Sequence, residues 1–438
     1  MTDPQLDWID SALTSARPQA IGALLRYFRN LDTAEEAFQE ACLRAIKHWR
    51  QNGPPRDPAA WLIFVGRNAA IDAVRRWGRE EALPPDEVIS DLDDAEAALA
   101  ERLEDAHYRD DILRLLFICC HPGLPATQQV AVALRIVSGL SVPQIARAFL
   151  VSESAMEQRI TRAKRSIAEA GVAFETPGAV ERAERVAAVA AMIYLIFNEG
   201  YSAGGGPDVD RASLDASLDA SLNASLGDEA IRLARLLLRL FAAEPEIMGL
   251  TALVLLQHAR RPARFDADGS IVLLEDQDRS RWDGKLIVEG LALIDKAMRH
   301  NRPGPYQVQA AIAALHARAA RPEDTDWAQI DLLYATLERL QPSPVVTLNR
   351  AVAVAKVRGP AAALDLIEPL APRLSGYFHF FGVKGSLLMQ LGRAEEARVA
   401  FNQAIALANT AAEAAHIRLH LDRLIRDSAP HGDSRATS

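Results

Sequence analysis

The sequence predicts an all-helical chain. Three observations carry that prediction: Ala and Leu dominate, β-branched runs are few, and apolar residues recur at spacings of three and four. At about 150 residues per domain, 438 residues make two to four domains. Hydrophobic residues are 49% and charged residues 24%, enough apolar content to exclude wholesale disorder. The formal charge of −9 argues against a general nucleic-acid coat but leaves room for local basic faces. Cys42, Cys119 and Cys120 are too few for a disulfide framework and fit a reducing compartment. The acidic opening MTDPQLDWID lacks the apolar centre of a signal peptide. The apolar run Val186–Phe197 has 12 residues, short of the roughly 20 needed to span a bilayer. The expectation is a cytoplasmic protein with no membrane association.

Residues 1–80 form the first helical block. In Leu31–Arg50, Asp32 or Thr33 is suited to cap the helix start, and Ala34, Phe38, Ala41, Cys42 and Ala45 line one face. Asp32, Glu35, Glu36, Gln39 and Glu40 make an acidic flank, which by itself is an ordinary solvated face. In Asp57–Arg76, Trp61, Leu62, Phe64, Val65, Ala69, Ile71 and Val74 supply a core. Helical spacing sets Asn68, Asp72 and Arg75/Arg76 on one face, and Val65–Arg79 carries a net charge of +3. Arg on phosphates and Asn on a base edge would suit such a face.

Residues 81–104 read as an acidic linker. The stretch Glu80–Asp111 holds 13 acids against Arg102 and Arg109, and Pro84-Pro85 breaks any early helix. Residues 105–172 form the second helical block. Gly139 ends one helix, and Ser141 caps the next with Gln144 completing a capping box. Ile145, Ala146 and Phe149 face a core. Ser152 caps a further helix that turns Met156 and Ile160 inward and Glu157, Gln158, Arg159, Thr161, Arg162, Lys164 and Arg165 outward. This is a helix-turn-helix pattern with a basic second helix; Arg135–Arg165 nets +4.

Taken together, the two blocks resemble the bacterial extracytoplasmic-function (ECF) sigma factors over roughly residues 10–170. The resemblance rests on AEEAFQEACLRA, on the Trp61 helix with RNAAID and a double Arg, on the acidic linker, and on the helix-turn-helix ending RITRAKRSI. It implies a region 2 module over 1–80 and a region 4 module over 105–172. By position it makes Glu35, Glu36, Gln39, Glu40 and Leu43 contacts for core RNA polymerase. It makes Arg67, Asn68, Asp72, Arg75 and Arg76 contacts for the −10 element, and Glu157, Gln158, Arg159, Thr161 and Arg162 contacts for the −35 element. The implied partners are core polymerase and promoter DNA, with no cofactor, no metal and no enzymatic chemistry. Phe149-Leu150 and Ala155-Met156 depart from the Leu-Gly and Thr-Val that the family often carries there, which bears on turn geometry and −35 sequence.

Residues 179–427 exceed what a sigma module needs. From Phe378, the residues Gly385, Gly392, Ala397, Phe401 and Ala404 fall at positions 8, 15, 20, 24 and 27 of a 34-residue frame. This is the small/small/aromatic/small pattern of a tetratricopeptide repeat, whose stacked helix pairs present a protein-binding surface. FETPG (174–178) reads as a helix stop before this array. A low-complexity insertion at 204–227, with Leu214, Leu218, Leu222 and Leu226 at i, i+4, reads as a surface loop with a minor helical tendency. Residues 428–438 read as a disordered tail. The extension is similar to that of one ECF subgroup and is expected to regulate the sigma modules or to bind a regulatory protein.

Three further stretches stand out: IYLIFNEGYSAGGG, QDRSRW and RPGPYQVQAAIAALHA. Tyr194, Phe197 and Tyr201 share one helical face and are expected in the core. Glu275, Asp276, Asp278 and Arg279, with His258 and His316, are expected in ion pairs rather than in a catalytic site; no nucleophile elbow, P-loop or dinucleotide fingerprint accompanies them. Cys119-Cys120-His121 lacks the spaced pairs of a zinc site and is expected to be core. The competing function is a stand-alone helix-turn-helix regulator with a ligand- or partner-sensing helical domain. It would bind duplex without polymerase and normally dimerise over two half-sites.

Overall fold

The computed structural model describes residues 4–77, 105–149, 151–170, 179–202, 213–266, 271–408 and 411–428. Among these, eighteen α-helices and short 3₁₀ turns account for the regular structure, with one isolated antiparallel bridge between Phe265 and Ile271. The all-helical expectation holds. The acidic linker 81–104, FETPG and the tail after Ser428 lie outside the described residues. The chain divides into two compact units, residues 1–199 and 200–438.

In the first unit, α1 (Pro4–Phe28), α2 (Leu31–Asn52) and α3 (Pro58–Trp77) pack on one another. Leu24, Phe38, Trp49, Trp61 and Leu62 fill their centre, and Trp49 sits edge-on to Trp61 with centroids 5.4 Å apart. The cap of α2 differs from expectation. Asn30, not Asp32 or Thr33, takes the extended cap conformation, and its side chain accepts from Thr33 N at 2.9 Å. Asp32 is thereby freed for a tertiary contact.

Helix α4 (Asp105–Cys119) packs against α1 and leads to α5 (Ala126–Ile136), α6 (Val142–Ala148) and α7 (Glu153–Glu169). The predicted caps are in place. Ser141 and Gln144 form the reciprocal capping box, and Ser152 accepts from Ala155 N at 3.3 Å. Gly139 reverses the chain after α5 with φ +76°, a conformation that a side chain would strain. Val151 N donates to Ala146 O at 3.0 Å and closes the turn between α6 and α7. Met156, Ile160, Ala163 and Ile167 face inward along α7. Phe149 is half-buried rather than a full core residue, and Leu150 lies outside the described residues. Cys119 and Cys120 are buried; burial pushes the Cys119 thiol up to about 12 and holds Cys120 well above an ordinary thiol, as core packing requires. Helix α8 (Ala179–Ser202) follows, with Phe197 buried and Tyr194 half-buried.

The second unit is a succession of helices. Helix α9 (Ser213–Leu240) runs through most of the low-complexity stretch, so the loop expected there is helix from Ser213 onward; Ala and Leu at i, i+4 favour it. Helix α10 (Pro245–His258) is buried nearly all round and packs against α9, α11 (Gly284–Met298) and α12 (Pro305–Arg318). Next come α13 (Trp327–Leu340), α14 (Pro344–Arg358), α15 (Pro360–Ile367), α16 (Phe378–Gln390), α17 (Ala394–Leu407) and α18 (Ala411–Ser428), each packed on the next. The repeat frame is realised in α16 and α17. A Cβ on Gly385 would lie 2.5 Å from Phe401 Cε1, so only glycine lets Phe401 fill the joint. Among the described residues, no helix is long and apolar enough to cross a membrane.

Candidate nucleic-acid interface

The acidic helix α2 divides into two faces. Glu36 and Gln39 are exposed, Leu43 is 59% exposed, and Ile46 follows them along the same stripe at 38%. An apolar ridge flanked by acids on a helix surface suits a protein partner. Ile46 was not singled out from the sequence, because an Ile at helical spacing reads as core. Glu40 is half-buried and pairs with Arg44 at 3.0 Å.

Glu35 belongs to the other face, and here the structure corrects the sequence. Its side chain is buried and cannot meet an outside partner in this arrangement. Lys164 of α7 donates to Glu35 Oε2 at 2.7 Å and to Asp32 Oδ1 at 2.9 Å. Arg135 of α5 reaches Glu35 Oε1 at 3.2 Å, and Arg17 of α1 lies 3.8 Å from the same oxygen. Arg17 also donates to the Ile136 and Arg135 carbonyls at 2.8 and 3.1 Å and covers the Phe38 ring at 4.9 Å. Burial is the largest influence on the Arg17 pKa and lowers it, with Glu35 acting the other way. Burial also works against the charge of Lys164, but its bonds to Glu35 and Asp32 outweigh burial and raise its pKa. Arg17 was missed from the sequence. An Arg amid the apolar residues of α1 gives no sign of a partner more than 100 residues away.

A second contact joins the same two blocks. Asp111 of α4 is buried, 3.5 Å from Arg26 of α1 and 3.0 Å from Arg114. By sequence Asp111 belongs to an acidic run; its position one turn before the buried Leu115 and Leu116 is what draws it in.

The helix-turn-helix keeps its outward face clear. Glu157, Gln158, Thr161 and Arg162 are exposed and Arg159 is half-buried, all on α7. Thus the candidate −35 residues lie on the solvent side of α7, with Arg159 and Arg162 far around the helix from Lys164, which is turned to α2. On α3, Arg67 is exposed and its guanidinium lies 4.8 Å from the ring centroid of Tyr27, itself half-exposed at the end of α1. Asn68 is half-buried beside it. Asp72, Arg75 and Arg76 fall on the last turns of α3, and their side chains lie outside the described residues. An exposed aromatic beside an Arg can stack an unpaired base and hold its phosphate. Among the described residues no group of three metal-ligating side chains comes together.

Comparison with known proteins covers both helical blocks. Residues 13–80 match sigma-70 region 2, and residues 114–167 match sigma-70, region 4. Residues 185–298 match a family of unknown function, DUF6596. The chain is 71% identical over 429 residues, 98% of each chain, to a Rhizobium meliloti (strain 1021) protein named only as uncharacterized. With region 2 on α1–α3, region 4 on α4–α7 and a helical extension beyond, the chain belongs to the sigma-70 factors, as an ECF-like sigma factor with a C-terminal extension.

Proposed function

We propose that the chain binds core RNA polymerase through the exposed stripe of α2 and directs it to promoters through α3 and α7. The observation that carries this reading is the free face of α7, with Gln158, Thr161 and Arg162 exposed on a capped recognition helix. A helix so placed suits the major groove, and Arg on it suits guanine. Tyr27 and Arg67 on the separate region 2 surface suit the −10 strand. Glu36, Gln39, Glu40 and Leu43 are left for polymerase, and Glu35 is removed from that set by its burial. Residues 1–80, 105–172 and 179–427 act as region 2, region 4 and a regulatory array that engages a further protein.

The same reading requires a rearrangement. The −10 and −35 elements lie ~25 base pairs apart, roughly 85 Å of B-form DNA. Region 2 and region 4 are joined here by ion pairs of 2.7 and 2.9 Å. Two modules in contact do not span that distance, so the Glu35–Lys164 contact opens when both elements are engaged. The acidic α2 competes with DNA phosphates for the cations of region 4.

Run-off transcription on sheared genomic DNA, with the purified chain and sigma-free bacterial core polymerase, tests this. Discrete transcripts that need both components are expected. Specific duplex binding by the chain alone, with neither transcripts nor co-elution with core, would replace the sigma reading with that of a stand-alone regulator.

A further inference from the structure

Three stretches of the extension lie outside the two sigma modules, yet the second unit brings residues from all three to one place. Tyr201 ends IYLIFNEGY, Gln277, Arg279 and Trp282 come from QDRSRW, and His316 comes from the helix that follows RPGP. They gather around Arg260 and Arg264, which lie just beyond α10.

The guanidiniums of Arg260 and Arg279 both lie over the Trp282 ring, at 5.8 and 5.0 Å from its centroid. Arg264 lies 3.4 Å from the centroid of Tyr201 and donates to the Tyr201 carbonyl at 2.7 Å. Arg279 donates to the carbonyls of His316 and Ala319, both at 2.5 Å. Arg260 donates through Nε to Gln277 Oε1 at 3.3 Å, and Gln277 is itself buried and fixed to the Val272 carbonyl. The sequence reading expected Arg279 in an ion pair. Among the described residues, however, none of the three arginines has a carboxylate within 4 Å. Glu323 and Asp324 act on Arg279 only from a distance, and both are taken by Arg321.

Three half-buried guanidiniums with no carboxylate in contact among the described residues repel one another, and burying weakly compensated charge is costly. Rings and carbonyls hold the three in place while leaving most of their N–H groups uncommitted. Two further donors are buried at the cluster with no acceptor among the described residues: Arg279 Nε and the indole Nε1 of Trp282, a side chain 93% buried by its 7% exposure. The groups left without partners at this site are positive charge and N–H donors.

We infer that Arg260, Arg264 and Arg279 form a binding site for a small multivalent oxyanion of the phosphate class. A monocarboxylate would leave the cluster positive, whereas a phosphate or diphosphate group matches the charge of three guanidiniums and can accept from several of them. His316 supports the assignment. Burial, then Arg260 and Arg279, lower its pKa to about 4, so it stays neutral and adds no charge to the cluster. The site gives the extension a small-molecule input distinct from any protein partner.

Titration calorimetry and thermal unfolding of the full chain test it, with pyrophosphate and adenosine diphosphate as probes against KCl of matched ionic strength. No polymerase is present, so the outcome is independent of transcription. Saturable binding is expected, with a rise in Tm of about 2–4 °C. Tighter binding of the nucleotide would identify a phosphorylated metabolite, and equal binding a free oxyanion. R260Q/R279Q should lower affinity at least tenfold, and R281Q, at an exposed neighbour, should not. Absence of binding, or equal binding by R260Q/R279Q, would overturn the site. If R260Q/R279Q does not fold, the native chain still decides: pyrophosphate should protect Arg260 and Arg279, but not Arg281, from an arginine-specific dicarbonyl reagent. Equal modification of all three would overturn it.

Discussion

Lys164 of the recognition helix donates to Glu35 of region 2 at 2.7 Å, across 129 residues of chain. That carboxylate also faces Arg17 and Arg135, so a single buried acid offsets cations from both sigma modules. Neutralising it leaves Arg17 and Arg135 without that carboxylate and Lys164 with Asp32 alone. The predicted cost of E35Q is about 3–5 kcal/mol, the range for breaking a buried ion pair by removing one partner. Hydrogen–deuterium exchange on the full chain should show α5 and α7 losing protection at least tenfold, with α14 in the other unit unchanged. Equal protection in E35Q and the native chain would make the contact energetically idle.

The Lys164 contact also has a pH signature. Its bonds to Glu35 and Asp32 raise the folded pKa above 10.5. A raised cation stabilises fully below the unfolded value and loses that contribution as pH climbs through the folded value. Energy transfer between labels on α2 and α7 should therefore be constant through neutral pH and fall above about 10.5. K164M should remove the alkaline step. A step at neutral pH would assign the closure to another group.

The array offers a packing test. A methyl at Gly385 would meet the Phe401 ring at 2.5 Å, and Phe401 is fully buried with no room to retreat. G385A should destabilise the second unit by about 1–3 kcal/mol through overpacking. G385A/F401L should recover part of the loss. Gly376, which has open space around it, is the control: G376A should leave the melting temperature within about 1 °C.

Much of this fold is legible in the sequence because it is local. The Ser141 capping box, the Ser152 cap, the turn at Gly139 and the small/aromatic frame around Phe401 each depend on residues within one or two turns or on a fixed repeat. The α2 cap falls two residues before Asp32, because Asn30, Asp32 and Thr33 are all good caps and only the entry angle of the chain chooses. The sites divide the same way. Arg162 and Leu43 point outward as helical spacing says they should. Glu35 does not, because its surroundings are supplied by Arg17, Arg135 and Lys164 from elements that no periodicity connects. The arginine cluster is invisible in the sequence for the same reason: QDRSRW sets Asp278 beside its arginines, and only the fold turns that carboxylate to Ser280 instead of Arg279.

His316 gives a second pH dependence, in the extension. Its folded pKa of about 4 lies below the ordinary 6.5, chiefly through burial and then through Arg260 and Arg279. Between those values the unfolded chain binds a proton that the folded chain refuses, so stability falls as pH drops from 6.5 to 4 and this contribution levels off below. The slope is at most about 1.4 kcal/mol per pH unit. Melting curves should show H316Q with a shallower dependence in that window. The same slope in both would place the His316 ring outside the influence of the arginines.

The separation of roles along the first unit makes the sharpest functional prediction. Arg159 and Arg162 lie on α7 away from α2, and Glu36 and Leu43 lie on α2 away from α7. If one surface meets DNA and the other polymerase, damage to each should appear in a different assay. R159A/R162A should reduce −35-dependent transcription at least tenfold, since a good base contact contributes about 1–3 kcal/mol, while co-elution with core is kept. E36K/L43D should abolish co-elution, and with it transcription from every promoter, while leaving any binding of isolated region 4 to −35 duplex intact. E35K belongs to neither class. It breaks the closed contact without touching either exposed face, so it should retain co-elution and raise −35 duplex binding by the free chain, because Lys164 and Arg135 are released. Loss of core binding in E35K comparable to that in E36K/L43D would return Glu35 to the polymerase surface and make the closed contact incidental.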